Sequence, residues 1–206
     1  MRVPQALPVL ALGVVLALGG CGSDDDTGTS TAASGTTAAT TATAGAPAAT
    51  TATGGGTTIT GTGYRTSVPA GWRDAKQLAA GTAIRVDQLY AAPEGDAFRA
   101  NVVIIREDPA ALKGKRVEDL EEQLRQQSAR AVGAEVPDAE DPFRLDGEDA
   151  VRWTLRRKQG DQDLVQRQFA AIHEDALYTI TLTTTADDDA DGEAHLQGLV
   201  GSWRWE

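Results

Sequence analysis

The acidic stretch DDDADG, residues 187–192, has the spacing of a calcium-binding loop. Asp187, Asp189, Asp191 and Gly192 match positions 1, 3, 5 and 6 of an EF-hand loop, where carboxylates bind the ion and glycine allows a sharp turn. Position 12 of such a loop supplies a bidentate acidic ligand, and that position is Gly198 here. We therefore favour the alternative that these aspartates cap the following helix and complement its dipole, and cation binding stays open.

The other candidate catalytic and metal-binding residues form no recognisable motif. His173 and His195 are the only histidines and lie in different predicted elements, without the ligand spacing of a zinc site. Ser67, Ser128 and Ser202 lie in no nucleophile-elbow sequence, and no glycine-rich phosphate loop precedes a helix. The sequence therefore predicts no catalytic residues, no metal site and no cofactor, and the protein is not expected to be an enzyme.

The densest basic cluster, formed by Arg152, Arg156, Arg157 and Lys158, is a candidate contact surface. Its end lies next to an acidic turn, so local charge pairing on a solvated face is one interpretation. The alternative is a contact patch for an anionic headgroup or a cell-wall polymer. The whole chain has 19 basic and 30 acidic residues and a net charge of -11, which makes nucleic acid an unsuitable partner.

The single cysteine of the chain, Cys21, indicates where the protein is located. Residues 1–20 have a positive start and an apolar run over residues 7–18, which is too short for a bilayer span of about 20 apolar residues. The motif LGGC, residues 18–21, resembles the bacterial lipobox, which implies cleavage before Cys21 and a thioether-linked diacylglycerol on its sulfur. We therefore expect a signal peptide at 1–20 and a lipid anchor on Cys21 that holds the protein at the membrane, on the extracytoplasmic side.

A low-complexity segment separates this anchor from the rest of the chain. Residues 21–57 consist mainly of Thr, Ala, Gly and Ser and contain no Leu, Ile, Val or aromatic residue. Such a composition cannot bury enough apolar surface to offset the entropy of ordering, so we expect a disordered tether. Residues 58–206 then form one domain, a length that supports a single hydrophobic core.

Hydrophobic periodicity predicts strands, a helix, more strands and a closing helix in this domain. Apolar residues alternate or run together in the predicted strands, at Tyr64-Thr66-Val68, Ile84-Val86-Tyr90, 100–108, Val151-Trp153-Leu155, 164–172 and Tyr178-Ile180-Leu182. In the predicted helices they recur at helical intervals, at Val117, Leu120, Leu124, Ser128 and Ala131 and again at Leu196, Leu199, Val200 and Trp203. Because regular βαβ alternation is missing, we expect an α+β fold with a central antiparallel β-sheet flanked by α-helices.

Two segments of the domain resemble PsbP-like domains. One is the opening YRTSVPAGW, residues 64–72, and the other is the block over residues 145–183 together with the closing motif Ser202-Trp203-Arg204. Such domains occur in Mog-type proteins and in the DcrB-type and LpqN-type bacterial lipoproteins. The resemblance implies a central antiparallel sheet with helices on its faces, no shared catalytic residues, and an accessory or binding role.

The sequence leaves two functions open for this lipoprotein. The domain is either an accessory or binding domain that contacts an envelope protein or cell-wall component, or a carrier or sensor of a small apolar or amphiphilic ligand. A contact domain needs an exposed patch, whereas a carrier needs room between sheet and helices. Trp203 fits the core, while Trp205 is open to edge packing or a contact surface. We favour the contact domain.

Overall fold

The computed structural model describes residues 56–80, 82, 84–93, 98–108 and 110–206. The expected signal peptide, Cys21 and the tether up to residue 55 lie outside the described residues. Within the described ranges, no helix is long and apolar enough to cross a membrane.

The described residues form ten strands in two antiparallel sheets. In chain order the strands are β1 (Thr57–Gly61), β2 (Tyr64–Val68), β3 (Arg73–Asp74), β4 (Val86–Ala91), β5 (Asn101–Glu107), β6 (Phe143–Leu145), β7 (Glu148–Gln159), β8 (Gln162–His173), β9 (Ala176–Thr185) and β10 (Arg204–Trp205). Seven of them form a large sheet in the order β3-β4-β5-β9-β8-β7-β6, and the other three form a small sheet in the order β1-β2-β10. The predicted α+β class is confirmed, and the small sheet is an element that the sequence did not predict.

One face of the large sheet packs against helix α2 (Asp189–Ser202) and the small sheet. Alternation in β9 points three apolar side chains to this face, as predicted: Tyr178, Ile180 and Leu182. Leu196 and Leu199 of α2 are buried against them. The Thr66 hydroxyl of β2 donates a hydrogen bond to the Leu199 carbonyl at 2.8 Å, so the small sheet is tied to the helix.

The opposite face of the large sheet packs against helix α1 (Glu121–Val132). The predicted helix begins four residues too early, because Val117–Leu120 is a 3-10 turn that leads into α1. The helix ends at Gly133 as predicted, since a φ of 67° places this residue in the left-handed region that glycine adopts at helix C-termini. Ala131 is only partly buried, whereas Ala129 faces the core.

Strand β4 departs from the predicted alternation of Ile84, Val86 and Tyr90. Its register with β5 shifts between Val86 and Gln88, which is a β-bulge. The bulge adds one residue to the strand and reverses the faces of the residues that follow. Leu89 therefore joins Val86 in the apolar cluster that the short 3-10 helix Lys76–Ala79, after β3, covers. Tyr90 packs on the other face of the sheet.

Strands β7, β8 and β9 form a long meander at the centre and edge of the large sheet. The β7–β8 hairpin turns at Gly160 and Asp161, as predicted. Because elements cover both faces of β8 and β9, several polar side chains at the middle of these strands are buried together with the apolar ones.

Candidate functional site

A row of polar side chains lies across the centre of the large sheet, on the face that α1 covers. It consists of Gln166 and Gln168 of β8 and Thr179, Thr181 and Thr183 of β9, and we name it the polar strip. Strand register places Gln166 opposite Thr183 and Gln168 opposite Thr181. Four of the five side chains are at most 3% exposed, and Thr181 in the middle is partly exposed. The strip is therefore a buried polar surface with solvent access at Thr181.

Apolar clusters border the polar strip on both sides. Thr179 pairs with Ala170 on β8 and with Ile105 on β5, and these two residues belong to different clusters. The cluster that contains Ala170 lies between α1 and β7. The cluster that contains Ile105 lies between β5 and the 3-10 helix Lys76–Ala79. Valine or isoleucine would fill the same positions without the cost of burying hydroxyl and amide groups. Packing alone therefore does not account for the polar residues.

Hydrogen bonds satisfy only part of the polar strip. The Ser128 hydroxyl of α1 donates to Oε1 of Gln168 at 2.9 Å, and Nε2 of Gln166 donates to the Thr183 hydroxyl at 3.3 Å. Oε1 of Gln166 and Oγ1 of Thr179 are buried and have no hydrogen-bond partner among the described residues. Buried polar groups in native proteins are nearly always hydrogen-bonded. The strip therefore contains two buried polar atoms whose hydrogen-bonding capacity the described residues leave unused.

Arg157 of β7 lies next to one end of the polar strip. Trp153 and Leu155 of the same strand are buried beneath α1, and alternation places Arg157 on their face. Its Nη1 atom donates to Oε1 of Gln159 at 2.8 Å, whereas its Nε atom is buried and has no partner in the described part of the chain. Burial lowers the pKa of this guanidinium, which stays charged at neutral pH. A cation with an unused donor therefore stands beside the strip.

The chemistry of the polar strip and Arg157 suits binding. Hydroxyl and amide groups donate and accept hydrogen bonds, and a guanidinium recognises an anion. General acid–base catalysis uses groups whose pKa lies near the operating pH, and amide and hydroxyl side chains are not such groups. The arrangement therefore supplies hydrogen-bond donors, acceptors and one positive charge rather than a proton-transfer group.

Replacing Gln166 with leucine is expected to lower the free energy of unfolding by only about 0.5–1.5 kcal/mol, because it removes the long hydrogen bond from Nε2 to the Thr183 hydroxyl but also an acceptor, Oε1, that has no partner among the described residues. Gln168→Leu is the control on the same strand and face. It leaves the buried Ser128 hydroxyl without its acceptor and should cost about 1–3 kcal/mol. Urea unfolding of both variants measures the difference. A loss for Gln166→Leu as large as that for Gln168→Leu would show that the Gln166–Thr183 hydrogen bond stabilises the fold as much as the Ser128–Gln168 one.

The predicted basic cluster divides between the two faces of β7. Three of its members form ion pairs at 2.9–3.4 Å: Arg152 with Glu140, Arg156 with Asp189 and Lys158 with Asp163. All three pairs are well exposed, and such pairs contribute little to stability. Local charge pairing therefore describes these three residues, while Arg157 lies on the opposite face without a carboxylate partner among the described residues.

The acidic stretch lies at the start of helix α2, where it complements the helix dipole as predicted but does not cap the helix through a side chain. Asp188 precedes the helix and makes no side-chain capping hydrogen bond, so the predicted cap is wrong. Asp189 and Asp191 lie in the first turn, where negative charge complements the dipole. Burial acts to raise the pKa of Asp189, but hydrogen bonds from Arg167 and Arg156 outweigh it and lower that pKa. The Asp189 carboxylate is thus held by two arginines.

The two histidines contact different residues and are not neighbours in the fold. Nδ1 of His173 is 3.0 Å from Oε1 of Glu148, and the imidazole stacks on Trp205 with 4.4 Å between ring centroids. His195 of α2 lies edge-on to Trp72 at 5.5 Å. Among the described residues, no three His, Cys, Asp or Glu side chains are grouped so that they could hold a metal ion.

Ser67, Ser128 and Ser202, the three serines considered from the sequence, make structural contacts. The Ser67 backbone N–H donates to the Ser202 hydroxyl at 2.9 Å, which joins β2 to α2. Ser128 binds Gln168 of the polar strip, a contact that the sequence did not predict. None of these contacts involves a histidine, so none of these three serines is hydrogen-bonded to an imidazole.

The C-terminal tryptophans belong to an aromatic cluster. Trp203 is fully buried and stacks on Tyr64 with 4.2 Å between ring centroids and 7° between ring planes, which confirms the predicted core position. Trp205 lies 4.9 Å from Tyr178, and its indole N–H donates to the Leu145 carbonyl at 2.9 Å. Trp205 therefore packs at the edge of the sheet, which settles the alternative left open by the sequence in favour of edge packing.

Comparison with known proteins identifies the fold. No protein-family model and no curated protein sequence matches the chain. The solution structure of cyanobacterial PsbP (CyanoP) from Synechocystis sp. PCC 6803 aligns with a TM-score of 0.57 at 17% identity, over 79% of this chain and 98% of that chain.

A second solved structure is similar at a lower level. The crystal structure of LpqN from Mycobacterium tuberculosis, a protein involved in cell envelope biogenesis, aligns with a TM-score of 0.45 at 11% identity, over 74% of this chain and 86% of that chain. At these identities the likeness to CyanoP concerns the fold, namely an antiparallel sheet with helices on its faces. The described part of the chain therefore has a PsbP-like fold.

Proposed function

We propose that the protein is a cell-envelope lipoprotein with a non-enzymatic binding domain. The LGGC motif at residues 18–21 supports a lipid on Cys21, and the apolar run before it supports export. A diacylglycerol carries two acyl chains, which anchor a protein stably where one chain does not. Residues 21–57 have the composition of a flexible tether with ends about 35 Å apart, enough to hold the domain clear of the headgroups on the extracytoplasmic side.

The polar strip is the observation that carries the binding role. It places hydroxyl, amide and guanidinium groups between apolar clusters and leaves several of their buried atoms without a partner among the described residues. This chemistry favours a small polar ligand, held between the large sheet and α1, over the apolar or amphiphilic ligand that the sequence suggested.

A second candidate function is contact with an envelope protein or cell-wall component through the edge of the small sheet. Strand β1 pairs with β2 on one side only among the described strands, and Thr57, Thr58 and Thr60 are exposed. Natural edge strands usually carry charges, prolines or bulges that discourage pairing with another strand. The sequence TTITG carries no charge and no proline, which favours strand addition by a partner.

Replacing Cys21 with serine is expected to move the protein from the membrane fraction to the soluble extracytoplasmic fraction, because serine provides no thiol for lipid attachment. Fractionation of cells that express the wild-type and Cys21→Ser chains measures this. Ser23→Ala, two residues away, is the control and should stay in the membrane fraction. Continued membrane retention of Cys21→Ser would contradict the lipid anchor.

Native mass spectrometry of the soluble Cys21→Ser protein, purified from the envelope without detergent, tests the binding role in the same preparation. A small extra mass that is lost on denaturation would support the carrier. A bare chain that can be crosslinked to an envelope protein through β1 would support the contact domain. A bare chain without crosslinked partners would contradict both forms of the binding role.

A further inference from the structure

The outer edge of strand β7 is unpaired over its second half. On the side away from β8, strand β6 pairs with only the first three residues of β7, and further along the Glu140 N–H donates to the Arg152 carbonyl at 3.4 Å. Backbone groups of an antiparallel strand alternate between its two sides, so those of Thr154, Arg156 and Lys158 point to that same side. Among the described residues, none of these three forms a backbone–backbone hydrogen bond there. We name residues 154–158 the open edge.

The open edge carries three consecutive basic side chains: Arg156, Arg157 and Lys158. Arg156 and Lys158 lie on the face of β7 that is turned to α2, and alternation places Arg157 on the opposite face. Exposed sheet edges bind extended peptides as an additional strand, in which the backbone hydrogen bonds provide affinity and the side chains provide specificity. Residues directly opposite each other in such a pair share a face, so three consecutive acidic residues of an added strand would meet all three cations.

An acidic side chain of the chain itself already occupies the neighbouring part of this strand edge. Glu140 lies in the segment that leads into β6, and its Oε1 atom accepts from the Thr154 hydroxyl at 2.8 Å. Its Oε2 atom lies 3.4 Å from Nε of Arg152, whose carbonyl accepts from the Glu140 N–H. Glu140 thus combines a backbone hydrogen bond with a carboxylate–guanidinium pair. The same two kinds of contact are available to an acidic strand placed along the open edge.

The charged side chains of the open edge are accessible to a partner. Those of Arg156 and Lys158 are 64% and 72% exposed. Arg156 pairs with Asp189 at 3.3 Å, and Lys158 pairs with Asp163 at 2.9 Å. Ion pairs that are this exposed to solvent contribute little to stability. An incoming carboxylate can therefore replace either aspartate at little cost.

The sign of the charge determines which strand the open edge accepts. Charged residues on edge strands normally prevent pairing with another strand. Three positive charges repel a basic strand, and a neutral strand would cover them without supplying a counter-charge. An acidic strand pairs with them instead, so the same charges that exclude other strands favour this one.

We propose that the open edge of β7 binds an acidic segment of a partner protein, which adds to the large sheet as an extended antiparallel strand. The inference rests on the proposed role of the domain in binding, and it names a second contact surface and the chemistry of its partner. This surface differs from the edge of the small sheet, whose strand β1 carries no charge and would not select for carboxylates.

Titration of the full chain carrying Cys21→Ser with short labelled peptides, followed by fluorescence anisotropy, tests the proposal. The probe has three consecutive glutamates between valines and threonines, which favour an extended backbone. A first control peptide has glutamines in place of the glutamates, and a second is N-methylated at the amides that would face β7. We expect both controls to bind at least about tenfold more weakly, because one lacks the charge and the other lacks the backbone donors.

Amide hydrogen exchange identifies the place of binding. The N–H groups of Arg156 and Lys158 point away from β8 and should exchange at least about tenfold more slowly when the glutamate peptide is bound. The Arg157 N–H is the internal control, because it points to β8 and is protected with and without the peptide. Slower exchange at alternate residues is the signature of an added strand.

Two double variants test the charges of the open edge. Arg156→Gln combined with Lys158→Gln should weaken binding of the glutamate peptide about fivefold, the effect of two lost cross-strand charge pairs. Lys113→Gln combined with Lys115→Gln also removes two positive charges, but these exposed residues flank Gly114, which lies beside Asp175 at the opposite end of the meander. This control should leave binding within about twofold. Thermal unfolding without peptide confirms that both variants are folded.

The other outcomes overturn the proposal and leave the binding role of the domain to be judged separately. Equal binding of the glutamine peptide would show that the open edge does not select acidic strands, and unchanged exchange at Arg156 and Lys158 would place the peptide elsewhere. Absence of binding would show that the charges only keep the edge unpaired. A dimer that the glutamate peptide dissociates would make a second copy of this chain the occupant. In each case, a co-purifying small mass or a protein crosslinked through β1 would still support the binding domain.

Discussion

Replacing Trp203 with alanine is expected to lower the free energy of unfolding by about 3–5 kcal/mol, the range for removal of a large buried aromatic side chain. Trp203 is fully buried between α2 and the small sheet, where it stacks on Tyr64 and meets Tyr178 edge-on at 6.5 Å. Its indole N–H has no hydrogen-bond partner among the described residues, so the loss comes from packing and the cavity that alanine leaves. Urea unfolding followed by circular dichroism measures the change.

Trp205→Ala is the control for this prediction. Trp205 is only partly buried and lies two residues further along, so its removal should cost about 1–2 kcal/mol, much of it from the lost hydrogen bond to the Leu145 carbonyl. If Trp203→Ala cost no more than Trp205→Ala, the small sheet and α2 would not depend on the buried indole. The role assigned to Trp203 in the core would then be wrong.

Replacing Gly63 with alanine is expected to lower the free energy of unfolding by about 2–4 kcal/mol, from two sources that add. Gly63 has a φ of 81°, which disfavours any residue with a Cβ atom. An added Cβ would also lie 2.7 Å from the Tyr178 hydroxyl oxygen. That hydroxyl accepts from Nε of Arg106 and donates to the Thr62 carbonyl, both at 3.0 Å, so displacing it breaks two hydrogen bonds.

Gly147→Ala separates these two sources. Gly147 has a φ of 93°, but an added Cβ would meet no atom within 4 Å. The substitution should therefore cost only the backbone part, about 1–2 kcal/mol. The difference between the two variants in urea unfolding measures the contribution of the Tyr178 hydroxyl, and equal losses would show that the hydroxyl moves aside freely.

Most of the elements could be predicted from the sequence because their signals are local. The alternation of Tyr64, Thr66 and Val68 depends only on the period of two that every strand has, and these residues are buried in β2 as expected. The position of Gly133 just past the helix is likewise a local signal, since the left-handed conformation is a property of one residue.

Elements that depend on pairing with residues far away in the sequence were not predicted. Strand β10 consists of only Arg204 and Trp205 and exists because it pairs with β2 at Arg65 and Tyr64. The bulge in β4 reverses the faces of its later residues, and that reversal is determined by the register with β5 rather than by the sequence of β4. A strand of two residues, such as β10, is too short to show an alternating pattern. In β4, the one extra residue of the bulge is enough to invert the alternation.

The polar strip was partly visible in the sequence. Threonines alternate with apolar residues at Thr179, Thr181 and Thr183, which indicates one polar face on β9. A polar face of a strand is normally turned to solvent, however, and only the covering of both sheet faces buries this one. Its contact with Ser128 joins residues 40 positions apart in the chain.

The sequence by itself determined the class of the fold and the expected location of the protein at a membrane, because alternation, helical spacing and the residues around Cys21 are all local patterns. Only the tertiary structure decided which of two adjacent arginines is neutralised. Arg156 meets Asp189, 33 residues away, whereas Arg157 points to the opposite face of the same strand and meets no carboxylate among the described residues. Alternation separates the two side chains, but the charges that surround each are set by the packing of α2 and α1 on opposite faces of the sheet.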